Sequence, residues 1–405
     1  MTAGGGAADP GAPAAGGPDP ARAAELRAAL DARAGDMVEE LRTLVEHESP
    51  TGDVDRLTTL AGVIAEQWER VGATVTRHEH PGTGPHLELW WPGPAGTPGT
   101  APPTLLVGHY DTVHDVGTLR RNPWRIDDEG RAWGPGAQDM KSGLVIARNG
   151  LAALADAGHA LARPVLALIT ADEEIGSPTS ADLVRDRARG SAAALVFEAA
   201  NSDGALKTAR KGVGLWSVTV RGRAAHAGQR FFEGVNANVG LAELVSTIAG
   251  LSDPVTGTTV NVGTMRGGSR ANVVAEHAVA MIDVRFTSDD EASRVAAALG
   301  ALRSPLEVGI EVRGGVNRPA MQRTAATAEL FARARACADA LGFALSESAA
   351  GGASDGNFTA AGGTPTLDGL GGVGAGLHTA QEYVRVASLP ERAALLAALL
   401  ASDTP

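Results

Sequence analysis

Short apolar runs alternate with helical patterns over the first half of the chain. From residue 19 to about residue 72, large apolar residues recur at three- and four-residue spacing, which predicts amphipathic helices. Later segments are apolar throughout and are separated by helix-like sequence: TLLVGHYDTV, PVLALITADEEIGS and AAALVFEAA. Strands of this kind, alternating with helices, indicate a mainly parallel sheet that is covered on both faces. The pattern therefore predicts an α/β fold.

The pattern changes near residue 210. VGLWSVTVRGRAAHAG and NVVAEHAVAMIDVRF alternate apolar and polar residues, as half-exposed antiparallel strands do, and helical patterns lie between and after them. This β-α-β-β-α-β order is typical of a compact, ferredoxin-like α+β unit. We predict one α/β domain with a mixed, mainly parallel sheet over residues 21–209 and 319–405, and an inserted α+β domain over residues 210–318. Residues 1–20, rich in glycine, alanine and proline, are predicted to be a disordered lead-in.

The composition excludes several classes of function. Hydrophobic residues make up 44% of the 405 residues and charged residues 20%, as in folded globular proteins. A net charge of −12 lacks the basic footprint of nucleic-acid binding, and no apolar run is long enough to predict a membrane span. The N-terminus has no basic start followed by an apolar run, so a cytoplasmic location is expected. The single cysteine, Cys337, excludes an intrachain disulfide and is predicted to be a core residue.

Acidic residues and a histidine stand where the apolar strands end. Glu173 and Glu174 follow VLALIT, Glu198 follows AALVF, and His109 follows LLVG. Taken singly, such residues are more often turn, cap or surface groups, but these apolar runs are unsuited to a surface. Ligands of parallel α/β sheets bind at the carboxyl ends of the strands. Because buried, adjacent carboxylates repel unless a cation or proton is shared, the sequence predicts a metal site there.

The ligand types indicate which metal binds. Two histidines, His109 and His378, with three carboxylates and no thiolate suit zinc or a similar divalent ion. Five ligands exceed one tetrahedral zinc but fit two ions, about 3.5–4 Å apart, that share one carboxylate. One acidic residue then remains as a base. We therefore predict two Zn²⁺ ions, with Co²⁺ or Mn²⁺ as alternatives.

Seven motifs occur in order along the chain: GHYDTV, WGPGAQDMKSG, ITADEEIGS, FEAA, RAAHAG, GGASD and GLHTAQEYV. Together they resemble the motifs of the zinc metallopeptidase family of glutamate carboxypeptidase, acetylornithine deacetylase and succinyl-diaminopimelate desuccinylase. The resemblance extends from about residue 37 to residue 401. It implies a zinc-peptidase catalytic domain, interrupted by a lid and dimerisation domain. It also implies a homodimer that contacts through this lid and acts on a small peptide or an N-acyl amino acid.

The resemblance implies a role for each metal ligand. Asp139 would bridge both ions. His109 and Glu198 would complete one site, and Glu174 and His378 would complete the other.

The resemblance also assigns two supporting carboxylates. Asp111 would orient His109. Glu173 would be the general base that takes a proton from a zinc-bridging water and generates the attacking hydroxide. The family further implies a cis peptide bond between Asp139 and Met140, which is uncommon outside proline.

Four residues are implied to contact the substrate. His226 would reach across the dimer interface to stabilise the oxyanion in the partner's site, and Arg318 would hold a substrate carboxylate with its guanidinium fork. Asn272 and Arg285 would face the substrate from the lid. The best-known glutamate carboxypeptidase has a lysine for the glutamate side chain where this chain has Ala205. The carboxylate clamp is therefore implied, but strict glutamate specificity is not.

Two functions stay open on the sequence. One is a carboxypeptidase-like hydrolase that cleaves an amide bond next to a carboxylate, and the other is an N-acyl-amino-acid deacylase of a biosynthetic pathway. A non-catalytic binding protein of the same fold would have lost a ligand or the base, and all of them are present. A serine hydrolase fares worse, because the stretch GASDG, which matches G-x-S-x-G, does not follow an apolar strand as a nucleophile elbow does.

Overall fold

The computed structural model describes residues 19–93 and 101–402. The helices in these ranges are α1 Pro20–Ala32, α2 Ala34–Glu46, α3 Val54–Glu69, α4 Thr118–Arg121, α5 Ser142–Asp156, α6 Ala181–Arg189, α7 Ala237–Ala249, α8 Asp289–Gly300, α9 Ala325–Ala340, α10 Gly356–Ala361 and α11 Ser388–Ala401. The strands are β1 Thr74–His78, β2 His86–Trp91, β3 Thr104–His109, β4 Arg125–Ile126, β5 Arg131–Trp133, β6 Val165–Thr170, β7 Ala193–Val196, β8 Leu206–Arg210, β9 Gly212–Arg221, β10 Thr259–Gly267, β11 His277–Phe286, β12 Gly309–Arg318, β13 Glu347–Ala350, β14 Thr366–Leu367, β15 Gly374–Ala375 and β16 Tyr383–Arg385. Residues 1–18 of the lead-in predicted for residues 1–20 lie outside the described residues.

A six-stranded sheet forms the centre of the larger unit, with the strand order β1-β2-β6-β3-β7-β14. Strand β3 runs parallel to both β6 and β7, and β14 runs parallel to β7. Strands β1 and β2 are antiparallel to their neighbours at one edge. The mixed, mainly parallel sheet predicted from the sequence is therefore confirmed.

Successive residues of the central strands point to opposite faces of this sheet. In β6, Val165, Ala167 and Ile169 belong to an apolar cluster that includes α1, α2, α5, α9 and α11. Leu166 and Leu168 belong to a second cluster, on the other face, that includes α6 and α10. Both faces are thus covered, which explains why these strands are continuous apolar runs in the sequence.

A second, four-stranded antiparallel sheet has the order β10-β11-β9-β12. Along the chain, α7 follows β9 and α8 follows β11, so the order is β-α-β-β-α-β as predicted. Both helices pack on one face of the sheet and share a separate apolar cluster with it. The predicted fold class is confirmed. The four-stranded sheet begins at Gly212 and ends at Arg318. The domain boundaries at residues 210 and 318 stay a prediction.

The described residues also form two smaller sheets. Strands β8 and β13 pair in parallel, and β4, β5, β16 and β15 form an antiparallel sheet. Cys337, on α9, is fully buried in the larger apolar cluster, as predicted. Among residues 19–93 and 101–402, no helix combines the length and hydropathy needed to cross a membrane.

A tight contact in the larger unit leads to a test of the packing. A Cβ atom added at Gly143, on α5, would lie 2.1 Å from the carbonyl oxygen of Phe197. We expect Gly143→Ala to lower the thermal unfolding midpoint of the metal-free protein, because overpacking costs about 1–3 kcal/mol. Gly35→Ala, on α2, is the control, since a Cβ there meets nothing within 4 Å and alanine favours the helix. Equal midpoints for the two variants would contradict this account.

Candidate metal centre and active site

Three of the predicted metal ligands lie at the carboxyl ends of neighbouring parallel strands. His109 is the last residue of β3 and pairs in register with Thr170, the last residue of β6. Glu174 lies in the helical turn Glu173–Ile175 that follows β6, and Glu198 lies two residues beyond β7. Because the three strands are parallel, their carboxyl ends meet at one edge of the sheet.

Asp139 reaches this edge from a tight turn between β5 and α5. Gly136 has a φ of 72°, and a Cβ atom there would lie 2.7 Å from Thr112 Cγ2, so the turn requires glycine. Asp139 has non-helical angles (φ −110°, ψ 96°), although α5 begins three residues later. The peptide bond between Asp139 and Met140 is cis, as the family resemblance implied.

The Asp139 carboxylate stands between two imidazoles. Its Oδ1 is 3.4 Å from His109 Nε2, and its Oδ2 is 3.1 Å from His378 Nε2. Glu198 Oε1 lies 3.5 Å from His109 Nε2, and Glu174 Oε2 lies 3.4 Å from His378 Nε2. The structure therefore brings the five predicted ligands together in two groups that share Asp139.

Several polar atoms of this cluster are buried without a hydrogen-bond partner in the described part of the chain: His109 Nε2, Asp139 Oδ1 and Glu174 Oε1. Buried polar atoms in native proteins are nearly always paired. The separations of 3.4–3.5 Å around His109 Nε2 allow charge attraction without a well-formed hydrogen bond. Imidazole nitrogens and carboxylate oxygens are ligands of divalent transition ions, so the cluster fits a metal.

The neighbouring carboxylates change the ionisation of both imidazoles. Burial lowers the pKa of His109, but the three carboxylates around the ring outweigh it and hold the pKa well above its usual value. Contacts with Asp139 and Glu174 raise the pKa of His378 to about 10. Burial also raises the pKa of Glu174. The carboxylates therefore favour the protonated, positively charged form of both imidazoles. A bound cation would compensate the negative charge of these carboxylates instead.

Asp111 supports both His109 and the turn that carries the paired glutamates. Its Oδ1 is 3.3 Å from His109 Nδ1, and its carbonyl oxygen is 3.0 Å from the same nitrogen. Its carboxylate also accepts from the backbone N–H groups of Glu173 and Glu174, at 3.2 Å and 3.3 Å, and from Thr51 Oγ1. With Nδ1 occupied in this way, Nε2 of His109 faces the ligand cluster.

Glu173 lies beside the cluster and is paired with Arg318. Ligand atoms of His109, Glu173 and Glu198 all lie within 4.8 Å of one another. Arg318 Nη2 donates to Glu173 Oε1 at 2.8 Å and to the Glu173 carbonyl at 3.1 Å. Burial raises the pKa of Glu173 well above its usual value, although the charge of Arg318 opposes the shift. Arg318 thus contacts the predicted base directly.

Two buried carboxylates of this region were not among the site residues predicted from the sequence. Asp355 Oδ1 lies 3.3 Å from Arg318 Nη2 and accepts from Ser177 Oγ. Glu382 accepts from the backbone N–H of Asp139 at 3.0 Å. Asp355 stands in the motif GGASD and Glu382 in GLHTAQEYV, and that position was the only signal for them in the sequence.

The predicted lid residues lie in the four-stranded unit. His226 is exposed, and its Nδ1 accepts from two backbone N–H groups of its own loop, so Nε2 carries the hydrogen of the neutral ring. Asn272 is exposed, and Arg285 forms a bidentate pair with Asp283 at 2.8 Å and 2.9 Å. Among the described residues, none of the hydrogen bonds or ion pairs of these three side chains is with a predicted metal ligand.

Comparison with known proteins identifies the family. The sequence model of peptidase family M20/M25/M40 matches residues 105–402. The chain belongs to this family. The family resemblance seen in the sequence is confirmed, and membership makes the chain a metal-dependent hydrolase.

Relatives of the M20/M25/M40 chain include peptidases of several kinds. It is 28% identical over 372 residues to carboxypeptidase G2 of Pseudomonas sp. (strain RS-16), across 90% of this chain and 88% of that protein. The fold is similar to aminopeptidase PepT of Bacillus cereus ATCC 10987, with a TM-score of 0.73 at 22% identity over 91% of this chain and 98% of that one. It is also similar to the M20 family metallo-carboxypeptidase Sso-CP2 of Sulfolobus solfataricus, with a TM-score of 0.68 at 14% identity over 90% and 98%.

Removal and return of metal tests the cluster without an activity assay. We expect Zn²⁺ to raise the thermal unfolding midpoint of chelator-treated protein, because binding to the native state stabilises by about 4 kcal/mol at 1,000 times Kd. Asp139→Ala should abolish most of this increase. Glu129→Ala, which removes a largely exposed carboxylate, is the control and should respond as the wild type does. An equal response of Asp139→Ala would contradict the assignment.

Proposed function

We propose that this chain is a two-zinc hydrolase that cleaves an amide bond next to a carboxylate, in the manner of a carboxypeptidase. The observation that carries the proposal is the Asp139 carboxylate, which directs one oxygen to His109 and the other to His378. A carboxylate in that position suits a ligand shared by two cations.

The assignment of the ligands follows the two groups around Asp139. His109, Asp139 and Glu198 form one site, and Asp139, Glu174 and His378 form the other. With Glu173 beside them, the carboxylates number four, and two divalent cations would balance their charge. Nitrogen and oxygen ligands without a thiolate favour zinc, with Co²⁺ or Mn²⁺ as alternatives.

In the proposed reaction, Glu173 is the general base. Bound divalent cations would polarise the scissile carbonyl and activate water as a nucleophile. Glu173 takes a proton from this water and returns it to the leaving nitrogen. Burial raises the pKa of Glu173, which makes its carboxylate a stronger base.

Arg318 has two tasks in this proposal. Its Nη2 holds the carboxylate of Glu173. Its Nε is buried and has no hydrogen-bond partner in the described residues, so a substrate carboxylate bound there would supply an acceptor. A substrate clamp formed by Arg318 would lie next to the base.

The lid domain completes the site in a homodimer. His226 has its Nδ1 occupied and its Nε2–H free to donate, which is the tautomer that oxyanion stabilisation requires. Its ring is exposed, and within one chain it contacts no proposed metal ligand in the described residues. We assign this donor to the site of the partner subunit, with Asn272 and Arg285 as further substrate contacts from the lid.

A second candidate is an N-acyl-amino-acid deacylase. Near Ala205, Lys207 Nζ donates to the carbonyl of Ala199 at 2.6 Å, and Arg210 Nε donates to Asp368 at 2.6 Å. Both cations are therefore held by the protein, which argues against a cation kept for a glutamate side chain. Comparing hydrolysis of substrates with C-terminal glutamate and of N-acetyl amino acids separates the two candidates.

We expect Glu173→Gln to bind both metal ions and to lose about 10²–10⁴-fold in turnover, the usual contribution of a general base. The amide keeps the shape of the side chain but cannot accept the proton. Metal content by elemental analysis and kcat on the same samples provide the check. Loss of metal together with activity would mean that Glu173 is a ligand rather than the base.

A mixing experiment tests the shared site. His226→Ala and Glu173→Gln should each impair activity when they are present in both subunits. If His226 acts on the partner's site, a mixed dimer of the two variants has one site with both residues intact, so activity returns after subunit exchange. If His226 acts within its own chain, mixing restores nothing. Separate measurements on each unmixed variant, taken through the same exchange procedure, are the control.

A further inference from the structure

The turn between β15 and β16 contacts Asp139 on two sides. His378, in this turn, contacts the Asp139 carboxylate at 3.1 Å. Glu382, four residues later and directly before β16, accepts from the backbone N–H of Asp139 at 3.0 Å. One short segment therefore holds both the side chain and the main chain of the proposed shared ligand.

The carboxylate of Glu382 is fully buried, and its acceptor positions are filled. Oε1 accepts from the backbone N–H groups of Gln138 and Asp139, at 2.8 Å and 3.0 Å. Oε2 accepts from the backbone N–H of Gly136 at 3.1 Å and lies 2.8 Å from His114 Nε2. A carboxylate offers about four acceptor positions, so none is left for a cation. Glu382 is therefore not a further metal ligand.

We propose that Glu382 is a positioning residue that fixes the turn of residues 136–139, so that Asp139 presents one oxygen to each imidazole. The inference rests on the proposed function, in which Asp139 is the shared ligand. Backbone N–H groups just before a helix have no partner within it, and those of Gln138 and Asp139 precede α5. Without an acceptor, each such buried group would cost about 1–3 kcal/mol, and the turn would rearrange.

The small antiparallel sheet sets the distance that Glu382 must span. Tyr383 pairs with Trp133, and Val384 pairs with Ala132, so β16 lies beside the strand that leads into the Asp139 turn. The pairing continues past the strands, because Gly134 N–H donates to the Glu382 carbonyl at 3.4 Å. Glu382 thus lies next to the residues whose N–H groups its side chain accepts.

The test exchanges the carboxylate for an amide of the same shape. In Glu382→Gln, the NH₂ group must face either two backbone N–H donors or one such donor and His114, so the four contacts cannot all survive. We expect metal affinity, measured by competition with a chromophoric chelator, to fall by roughly 10–100-fold, as for other residues that support ligands. The visible absorption of the Co²⁺-substituted protein should change as well, since the orientation of Asp139 changes.

A matched control is present in the same small sheet. Asp127 also accepts four hydrogen bonds, from the N–H groups of Glu129 and Arg131 and from the side chains of Arg131 and Trp133, and none of them involves the Asp139 turn. We expect Asp127→Asn to lower the thermal unfolding midpoint without changing metal affinity or the Co²⁺ spectrum. An equal loss of affinity in both variants would overturn the positioning role and leave only a general loss of stability.

A second variant covers the case in which Glu382→Gln does not fold. Glu382→Asp keeps the negative charge, but its side chain is one methylene shorter, so the carboxylate oxygens lie farther from their donors. We expect a smaller loss of metal affinity than in the Gln variant. Wild-type affinity and an unchanged Co²⁺ spectrum in every folded Glu382 variant would overturn the inference. Failure of the proposed function is distinct: the wild type would then bind no metal, or Asp139→Ala would bind both ions normally.

Discussion

Mutual repulsion of buried carboxylates is the constraint on which the rest of this structure depends. Asp139, Glu173, Glu174 and Glu198 meet at one edge of the central sheet, where water is largely excluded. A carboxylate removed from water is unstable unless something positive lies beside it. In this protein, imidazoles, one buried guanidinium and backbone N–H groups lie beside the carboxylates. The hydrolases of the family to which the chain belongs also depend on metal.

The framework that gathers these charges is built from ordinary packing. Residues of the central strands alternate between two apolar clusters, so neither face of the sheet can shift without exposing large side chains. The alternation therefore fixes the register of the strands, and the carboxylate cluster lies at their carboxyl ends. Arg318 ends the last strand of the four-stranded sheet and contacts Glu173, so the inserted unit ends at the predicted base.

Much of this arrangement could be predicted from the sequence because apolar runs report burial directly. Glu173 and Glu174 were recognisable because VLALIT precedes them, and His109 because LLVG does. Asp355 and Glu382 were not, since an acidic residue in a glycine-rich or polar loop has the same local pattern whether it faces solvent or a backbone N–H group. The contacts of Glu382 are with residues more than 240 positions away, and no local periodicity encodes such a contact.

The larger unit is built from two segments of the chain, one before and one after the four-stranded sheet. This order has a consequence for synthesis. His109, Asp139, Glu174 and Glu198 leave the ribosome before the four-stranded sheet, whereas His378 follows it. The inserted sheet is contiguous and has its own apolar cluster, so it can fold while the acidic cluster still lacks an imidazole. In the proposed metal centre, tight binding would therefore wait for the segment that also contributes β14 and α11, which would make metal loading a late step of maturation.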